Sequence, residues 1–321
     1  MDIAVRIDRA GGPEVLEARE ITLPPPGVGE ARVRQSEIGV NFVDIYFRSG
    51  LYPIAAFPAG IGLEAAGVVE AVGTGVTGLA PGDRVGYIGG GIGSYASARN
   101  LPEDRLLKLP DEISTRLAAA SLLRGMTAYM LIDRIFKAEA GQTVLIHAAA
   151  GGVGLLATQW AKARGLTTIG TVGSTEKAQV AKAHGLDHAV LYRSDDFVAA
   201  TKDLTGGKGV NFAVDGIGGD TLARTLAALA PEGIAASIGQ AAGMAPPVPL
   251  AALAGIFLTR PSVVALANDP KAYRAAAAAL FAMLTSGLKV EIGAEFPLEQ
   301  AARAHALLAG GKTTGSTLLV P

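Results

Sequence analysis

Ala149, Gly151 and Gly154 stand in the spacing A-x-G-x-x-G. That spacing suits a turn that binds a pyrophosphate. Gly151 lets backbone come close to the phosphates and Gly154 lets a helix lie close on a strand. The unpaired N–H groups of the first helical turn face the negative charge. The flanks agree with this chemistry. A β-rich apolar run at 143–147 precedes the turn and a helical pattern at 153–164 follows it. Gly165 stops the helix and a second apolar run covers 167–172, which together predict a strand–helix–strand unit. The end of the second run bears on which nucleotide binds. A site for NAD places an Asp or Glu there, about twenty residues past the glycines, to accept from the ribose hydroxyls. Here Thr171-Val172-Gly173-Ser174-Thr175 carries no carboxylate, and Lys177 follows on the first turn of the next helix, where its ammonium can meet a 2′-phosphate. NADP is therefore expected over NAD, with Ser174 also serving as the cap of that helix.

Such a turn needs a parallel sheet behind it, and the chain supplies the alternation. Strands are predicted at 190–192, 210–215, 233–238 and 262–265, with helices at 196–204 and 220–230 between them. This is the pattern of a doubly wound α/β domain with a mostly parallel sheet. Before residue 120, Gly and Pro break the chain into short β-like runs at 3–7, 31–38, 66–72, 84–87 and 95–98, as in a small irregular β-barrel. From Ser114, a candidate N-cap, helical patterns run through Leu123 and again over 126–136. A long helix is expected at 270–286, then segments 287–292 and 314–320 around a helix at 298–308.

Composition narrows the function. With 321 residues, half of them apolar, two moderate cores are expected. A net charge of -1 and the lack of any Lys/Arg cluster interleaved with aromatics argue against a nucleic-acid partner. The chain has no cysteine, so disulfides, thiolate zinc sites and a cysteine nucleophile are excluded. The start lacks a charged region followed by an apolar one, and no apolar run approaches the roughly 18 residues of a membrane helix, so a cytoplasmic protein with no membrane partner is expected. Of the four histidines, His147 ends the first nucleotide-domain strand and reads as a buried, hydrogen-bonded core residue.

The residues also carry a family likeness. Gly141-Gln142-x-x-Leu145, Ala149-Ala150-Gly151-Gly152-x-Gly154, Gln159 and Lys162 resemble the signature of the quinone oxidoreductase and zeta-crystallin branch of the zinc-independent medium-chain dehydrogenases/reductases. Gly11-Gly12-Pro13-Glu14-Val15-Leu16, and Asn41-Phe42-Val43-Asp44 through Arg48-Ser49-Gly50-Leu51-Tyr52-Pro53, are similar to its bacterial NADPH:quinone reductases. The resemblance implies a chaperonin-10-like catalytic domain at 1–123 and 266–321 around a Rossmann domain at 124–265. It implies NADPH as cofactor and a quinone or other small electrophile as acceptor. Gly151, Gly152, Val153 and Gly154 would face the pyrophosphate. Gly173, Ser174, Lys177 and Tyr192 would surround the adenine ribose and its phosphate. Thr127, Ile238, Gly239, Gln240, Phe257 and Leu258 would border the rest of the cofactor, and Asn41, Tyr46 and Tyr52 would form the catalytic pocket.

Two departures follow from the same alignment. Zinc-dependent relatives carry Gly-His-Glu where this chain has Gly62-Leu63-Glu64, and a cysteine in the stretch matching 39–44, where it offers Asn41. One acid cannot make a site that needs three or four ligands, so no metal is expected and Glu64 reads as structural. Close relatives have an arginine near the C-terminus that approaches the 2′-phosphate. Here the aligned residue is Gly311 and the nearest cation is Lys312, a point charge without a bidentate fork. A quinone is already electrophilic and accepts hydride without a Lewis acid. The alternatives are a reductase of enals or enones, and a nucleotide-binding protein with a structural role. A homodimer is expected through the sheet edge at 262–265, where Val263-Val264-Ala265-Leu266 would otherwise expose backbone and apolar side chains.

Overall fold

The computed structural model describes residues 1–321. It divides into one compact unit of Met1–Leu123 with Val264–Pro321 and a second of Arg124–Val263. The second boundary falls two residues earlier than the sequence places it.

The first unit opens with β1 (Asp2–Ile7), β2 (Glu17–Ile21) and β3 (Glu30–Val40). Helix α1 (Phe42–Ser49) follows, and then β4 (Ala59–Gly60), β5 (Glu64–Val72), β6 (Arg84–Ile88), β7 (Ala98–Pro102) and β8 (Leu107–Lys108). In β3, Ala31, Val33 and Gln35 turn inward while Arg32 and Arg34 turn out, the alternation a half-buried strand requires. Helix α1, only eight residues long, has no counterpart among the elements expected from the sequence. Its start is nevertheless chemical: Asn41 lies in extended backbone, and its N–H donates to the Asp44 carboxylate at 2.8 Å, one arm of a capping box. Gly50, at φ 82°, ends it. The predicted strand at 95–98 is not one. Tyr95 N–H donates to Ile61, Val5 N–H to Tyr95, Ser97 N–H to Ile3 and Gln35 N–H to Ser97, so the segment shares its bonds among three neighbours and becomes a ladder only from Ala98.

Helix α2 (Thr115–Tyr129) is capped by Ser114, whose Oγ accepts from Leu117 N–H at 3.1 Å, and runs on unbroken where the sequence suggested two pieces. The second unit then alternates β9 (Thr143–Ile146), α3 (Gly152–Ala163), β10 (Thr167–Val172), α4 (Thr175–Ala183), β11 (His188–Leu191), α5 (Phe197–Leu204), β12 (Val210–Asp215), α6 (Thr221–Ala227), β13 (Leu229–Ser237) and β14 (Phe257–Thr259). All six strands are parallel, in the order β11-β10-β9-β12-β13-β14. Central β9 is apolar and buried from Val144 to Ile146 because both its faces are covered.

The sixth strand is β14, not the predicted 262–265. Pro261 cannot donate to a ladder and ends the strand. The Val-Val-Ala-Leu run that follows is helix α7 (Val263–Asn268), since a short apolar run does not distinguish the two periods. Helix α8 (Pro270–Thr285) is capped by Asp269 and closed by Gly287 at φ 98°, so the next strand, β15 (Ile292–Pro297), starts five residues later than predicted. Helix α9 (Ala301–Ala309) and β16 (Ser316–Val320) return to the first unit, whose main sheet is ordered β15-β16-β3-β5-β6-β8, with β7 also on β3.

Candidate functional site

In the second unit the glycine turn joins β9 to α3 as predicted. Ala148 is held at φ 50°, a left-handed conformation uncommon for a residue with a side chain. The turn is fixed by His147 N–H on Val214, Ala149 N–H on Thr171 and Gly151 N–H on Ala148. A methyl at Gly154 would come within 2.7 Å of Ala149 Cα, so this position holds α3 against the strand. A methyl at Gly151 would meet only the Ala148 carbonyl, at 3.2 Å. No side chain caps α3, so its first-turn donors, on Gly152, Val153 and Gly154, are presented by backbone alone. This face of the turn is open and fits a pyrophosphate.

Beneath the turn sits His147, buried as expected. Its Nδ1 lies 2.9 Å from Thr171 Oγ1 and its Nε2 2.9 Å from Thr225 Oγ1. Burial pushes its pKa down to about 4, with Asp215 opposing and Arg224 adding to the shift. Asp215 Oδ1 accepts from the N–H groups of Ile217 and Gly218, which shapes the loop after β12.

At the end of β10, Gly173, Ser174, Lys177 and Tyr192 come together. Ser174 Oγ accepts from Lys177 N–H at 3.3 Å and caps α4. The Tyr192 hydroxyl lies 3.1 Å from where a Gly173 Cβ would be, and the tyrosine is half exposed. Glu176 shares this turn, its carboxyl held below the ordinary range by the Ser174 hydroxyl. Ile238, Gly239 and Gln240 follow the end of β13, where Gly239 lies so close to Gly216 that a methyl would sit 2.6 Å from its carbonyl oxygen. Thr127 is buried on α2. Phe257 and Leu258 pair with Ile234 and Ala235, short of the strand ends, and Leu258 packs into the core.

In the first unit, Asn41, Tyr46 and Tyr52 are neighbours. Tyr46 is buried on α1, Tyr52 N–H donates to the Tyr46 carbonyl, and the two rings meet edge-on at 5.3 Å. Phe47 closes on Tyr52 at 5.6 Å. Asn41 Nδ2 donates to Glu64 Oε1 at 2.7 Å, and Glu64 Oε2 accepts from Leu123 N–H at 2.7 Å. Glu64 is fully buried, and these bonds give it the structural part the sequence suggested. A carboxylate only accepts, so the amide nitrogen of Asn41 faces it and Oδ1 points elsewhere. Beside this group lies a cleft of about 530 Å³ lined by Phe47, Pro53, Ile54, Leu63 and Ile92 among others. No three His, Asp or Glu side chains are arranged to hold a metal ion. Lys312 is exposed in the turn after α9, in the first unit.

Sequence reasoning missed Tyr95 and His305. Both are buried and joined at 2.9 Å, and Tyr95 donates to Asp44 Oδ2 at 3.0 Å. The Asn41-x-x-Asp44 spacing was a visible capping signal. A partner 51 or 210 residues away leaves none.

Two family profiles match the chain: the alcohol dehydrogenase GroES-like domain over residues 27–111 and the zinc-binding dehydrogenase over 152–282. The chain is 44% identical to the quinone oxidoreductase of Pseudomonas aeruginosa, with 97% of each chain covered. It is 38% identical to the 2-haloacrylate reductase of a Burkholderia species, covering 100% of this chain and 99% of that one. Among solved structures, the Escherichia coli quinone oxidoreductase complexed with NADPH superposes with a TM-score of 0.96 at 41% identity, covering 99% of this chain and 100% of that one.

Proposed function

The chain belongs to the medium-chain dehydrogenases/reductases, in their quinone oxidoreductase branch, and from that premise we propose that it is an NADPH-dependent quinone reductase that works without a metal. The observation that supports this most is at Glu64. The one acid left at the position of a metal site has both oxygens engaged, by Asn41 and by backbone. Leu63, aligned with a zinc-binding histidine, instead lines the apolar cleft.

Bound NADPH supplies a hydride at its nicotinamide ring. The chain's own residues bind, orient and exclude water. Gly151, Gly152, Val153 and Gly154 receive the pyrophosphate, and Gly173, Ser174, Lys177 and Tyr192 the phosphorylated ribose. Thr127, Ile238, Gly239, Gln240, Phe257 and Leu258 would border the remainder. Asn41, locked through its nitrogen by Glu64, and buried Tyr46 would contact the nicotinamide, as the family likeness implies. Tyr52 would bound the acceptor through Phe47, on which it packs and whose side chain lines the mostly apolar cleft. The proton would come from solvent or a weak donor, because Asp44 and Arg48, the acid and base of this stretch, are buried and bonded to other residues.

The test is steady-state turnover of NADPH against simple quinones and short enals after dialysis against a chelator. Quinone turnover should survive the chelator, and its reversible loss would overturn the metal-free reading. Tyr52→Phe should lower kcat about tenfold or less, whereas losing a true general acid costs about 10²- to 10⁴-fold. A thousandfold fall with NADPH binding intact would make Tyr52 the proton donor. Faster turnover of enals would favour a second reading, reduction of activated double bonds, which the 2-haloacrylate reductase likeness supports.

Lys177→Ala should weaken NADPH by about 1 to 2 kcal/mol, the scale of a charge-assisted contact, and leave NADH nearly unchanged. Fluorescence titration of both cofactors checks this. Equal affinities in the unmodified protein would end the NADPH preference, against which Glu176 on the same turn is the opposing charge. We also propose a homodimer, through β14 rather than the predicted 262–265. β14 pairs only with β13, and Phe257 is 60% exposed beside it. A monomeric mass by light scattering at micromolar concentration would refute it. No helix is long and apolar enough to cross a membrane. A cytoplasmic location remains part of the proposal, and recovery of the protein in a membrane fraction would contradict it.

A further inference from the structure

Asp44 and Arg48 stand four residues apart on one face of α1, a spacing at which an acid and a base commonly pair directly on the helix surface. Here both are buried and two other residues are bonded between them. Arg48 Nη1 lies 3.3 Å from His305 Nδ1, His305 Nε2 lies 2.9 Å from the Tyr95 hydroxyl, and that hydroxyl donates to Asp44 Oδ2 at 3.0 Å. The direction of every bond follows from chemistry. A guanidinium has donors only, so Nδ1 must accept. The imidazole is then neutral with its proton on Nε2, which donates to the tyrosine oxygen, and the tyrosine gives its own proton to the carboxylate. Burial, with Arg48 adding to it, pushes the His305 pKa down to about 3, which keeps the ring in that neutral form. The rings of Tyr95 and His305 meet edge-on at 89°.

An Asp–Arg pair made directly would brace α1 and tie it to nothing. Interposing His305 from α9 and Tyr95 from the segment before β7 fastens the helix at both ends to two separate parts of the same unit. Tyr46 lies midway between the fastened residues, and Asn41 N–H donates to the same oxygen of Asp44 that Tyr95 does. At the other end Arg48 Nε donates to the Gly11 carbonyl, and Gly11 N–H to the Arg48 carbonyl.

We propose that His305 and Tyr95 are positioning residues for the reductase site: through the one-way chain Arg48–His305–Tyr95–Asp44 they fix the rotation and height of α1, and so the places of Asn41 and Tyr46. This rests on the reading of those two residues as the nicotinamide contacts.

The chain of bonds is tested without activity. A long-range proton–nitrogen spectrum of the unmodified protein at pH 7 should show His305 neutral and protonated on Nε2. A ring protonated on Nδ1, or a charged one, overturns the proposal. In His305→Phe, which keeps the volume and loses both bonds, amide exchange at Asn41 should quicken while that of the second unit stays as it was. Unchanged exchange at Asn41 also overturns it. For catalysis, His305→Phe and Tyr95→Phe should each lower kcat/KM for quinone reduction by about 10- to 100-fold, the cost of a misplaced contact group. The loss should fall on kcat at saturating NADPH. His305→Gln, whose amide can accept from Arg48 and donate to Tyr95, should recover to within about threefold of the parent. An activity loss that glutamine does not restore, with folding intact, shows that the two bonds are not what places the contact residues and overturns the proposal. If the unmodified protein fails to oxidise NADPH with any quinone, the reductase reading falls, while the spectrum and the exchange rates still decide the chain of bonds.

Discussion

Gly154→Ala should cost about 2 kcal/mol of stability in the nucleotide-binding unit and weaken NADPH more than tenfold. On helix propensity alone alanine would gain about 1 kcal/mol over glycine. Packing reverses the sign. The added methyl would run into the Ala148 carbonyl oxygen and lie 2.7 Å from Ala149 Cα. Both are backbone atoms of the turn, so no rotamer change relieves the contact, and either α3 lifts or the turn opens. The donors of α3's first turn would then no longer converge where the pyrophosphate must lie. Gly151→Ala is the control. Its methyl meets one carbonyl oxygen at 3.2 Å, so stability should stay close to the parent while the open face of the turn is narrowed for the ligand. Chemical denaturation with cofactor titration of both variants checks the pair. A Gly154→Ala protein as stable as its parent would show that the close approach of helix and strand is not what the glycine provides.

Lowering the pH from 7 to 5 should remove about 4 kcal/mol of folding stability through two histidines, about half from each unit. Burial lowers the folded pKa of His147 to about 4 and that of His305 to about 3, from 6.5 in the unfolded chain. The unfolded state therefore binds more protons than the folded one between pH 6.5 and these values. The contribution is fully present above 6.5 and is lost as pH falls toward 4 for His147 and 3 for His305. The window from 7 to 5 lies above the ordinary carboxylate range, which separates the histidines from general acid titration. Urea midpoints measured across it should fall with a slope approaching that of two protons. His305→Gln should lose its share of that slope, leaving His147 alone. A flat profile between pH 7 and 5 would mean that neither ring is kept neutral by its surroundings.

Much of the fold was legible because local chemistry and global architecture agree. The glycine spacing, its flanking strand and helix, and the Ser174 cap are short-range signals, and β9 and α3 lie within a residue of their expected places. Legibility failed where a run was short or its partners distant. Val263-Val264-Ala265-Leu266 suits either period. The sheet edge instead went to Phe257–Thr259, whose pairing with β13 only the assembled sheet provides. The 95–98 segment reads as a strand by composition, yet its backbone serves three neighbours and its tyrosine belongs to a polar chain.

By itself, then, the sequence determined the parallel nucleotide-binding unit, the location of its phosphate turn and the lack of thiolate chemistry, while Leu63 in place of a metal-binding histidine is what the family resemblance implies. These are properties of residue type and near-neighbour spacing. Only the tertiary structure decided how Asn41 and Tyr46 are held. Glu64 locks the amide from 23 residues away. His305, 257 residues from Arg48, completes the buried chain that fastens α1. A buried polar group must find its partner wherever folding brings one, and spacing along the chain carries no record of that meeting.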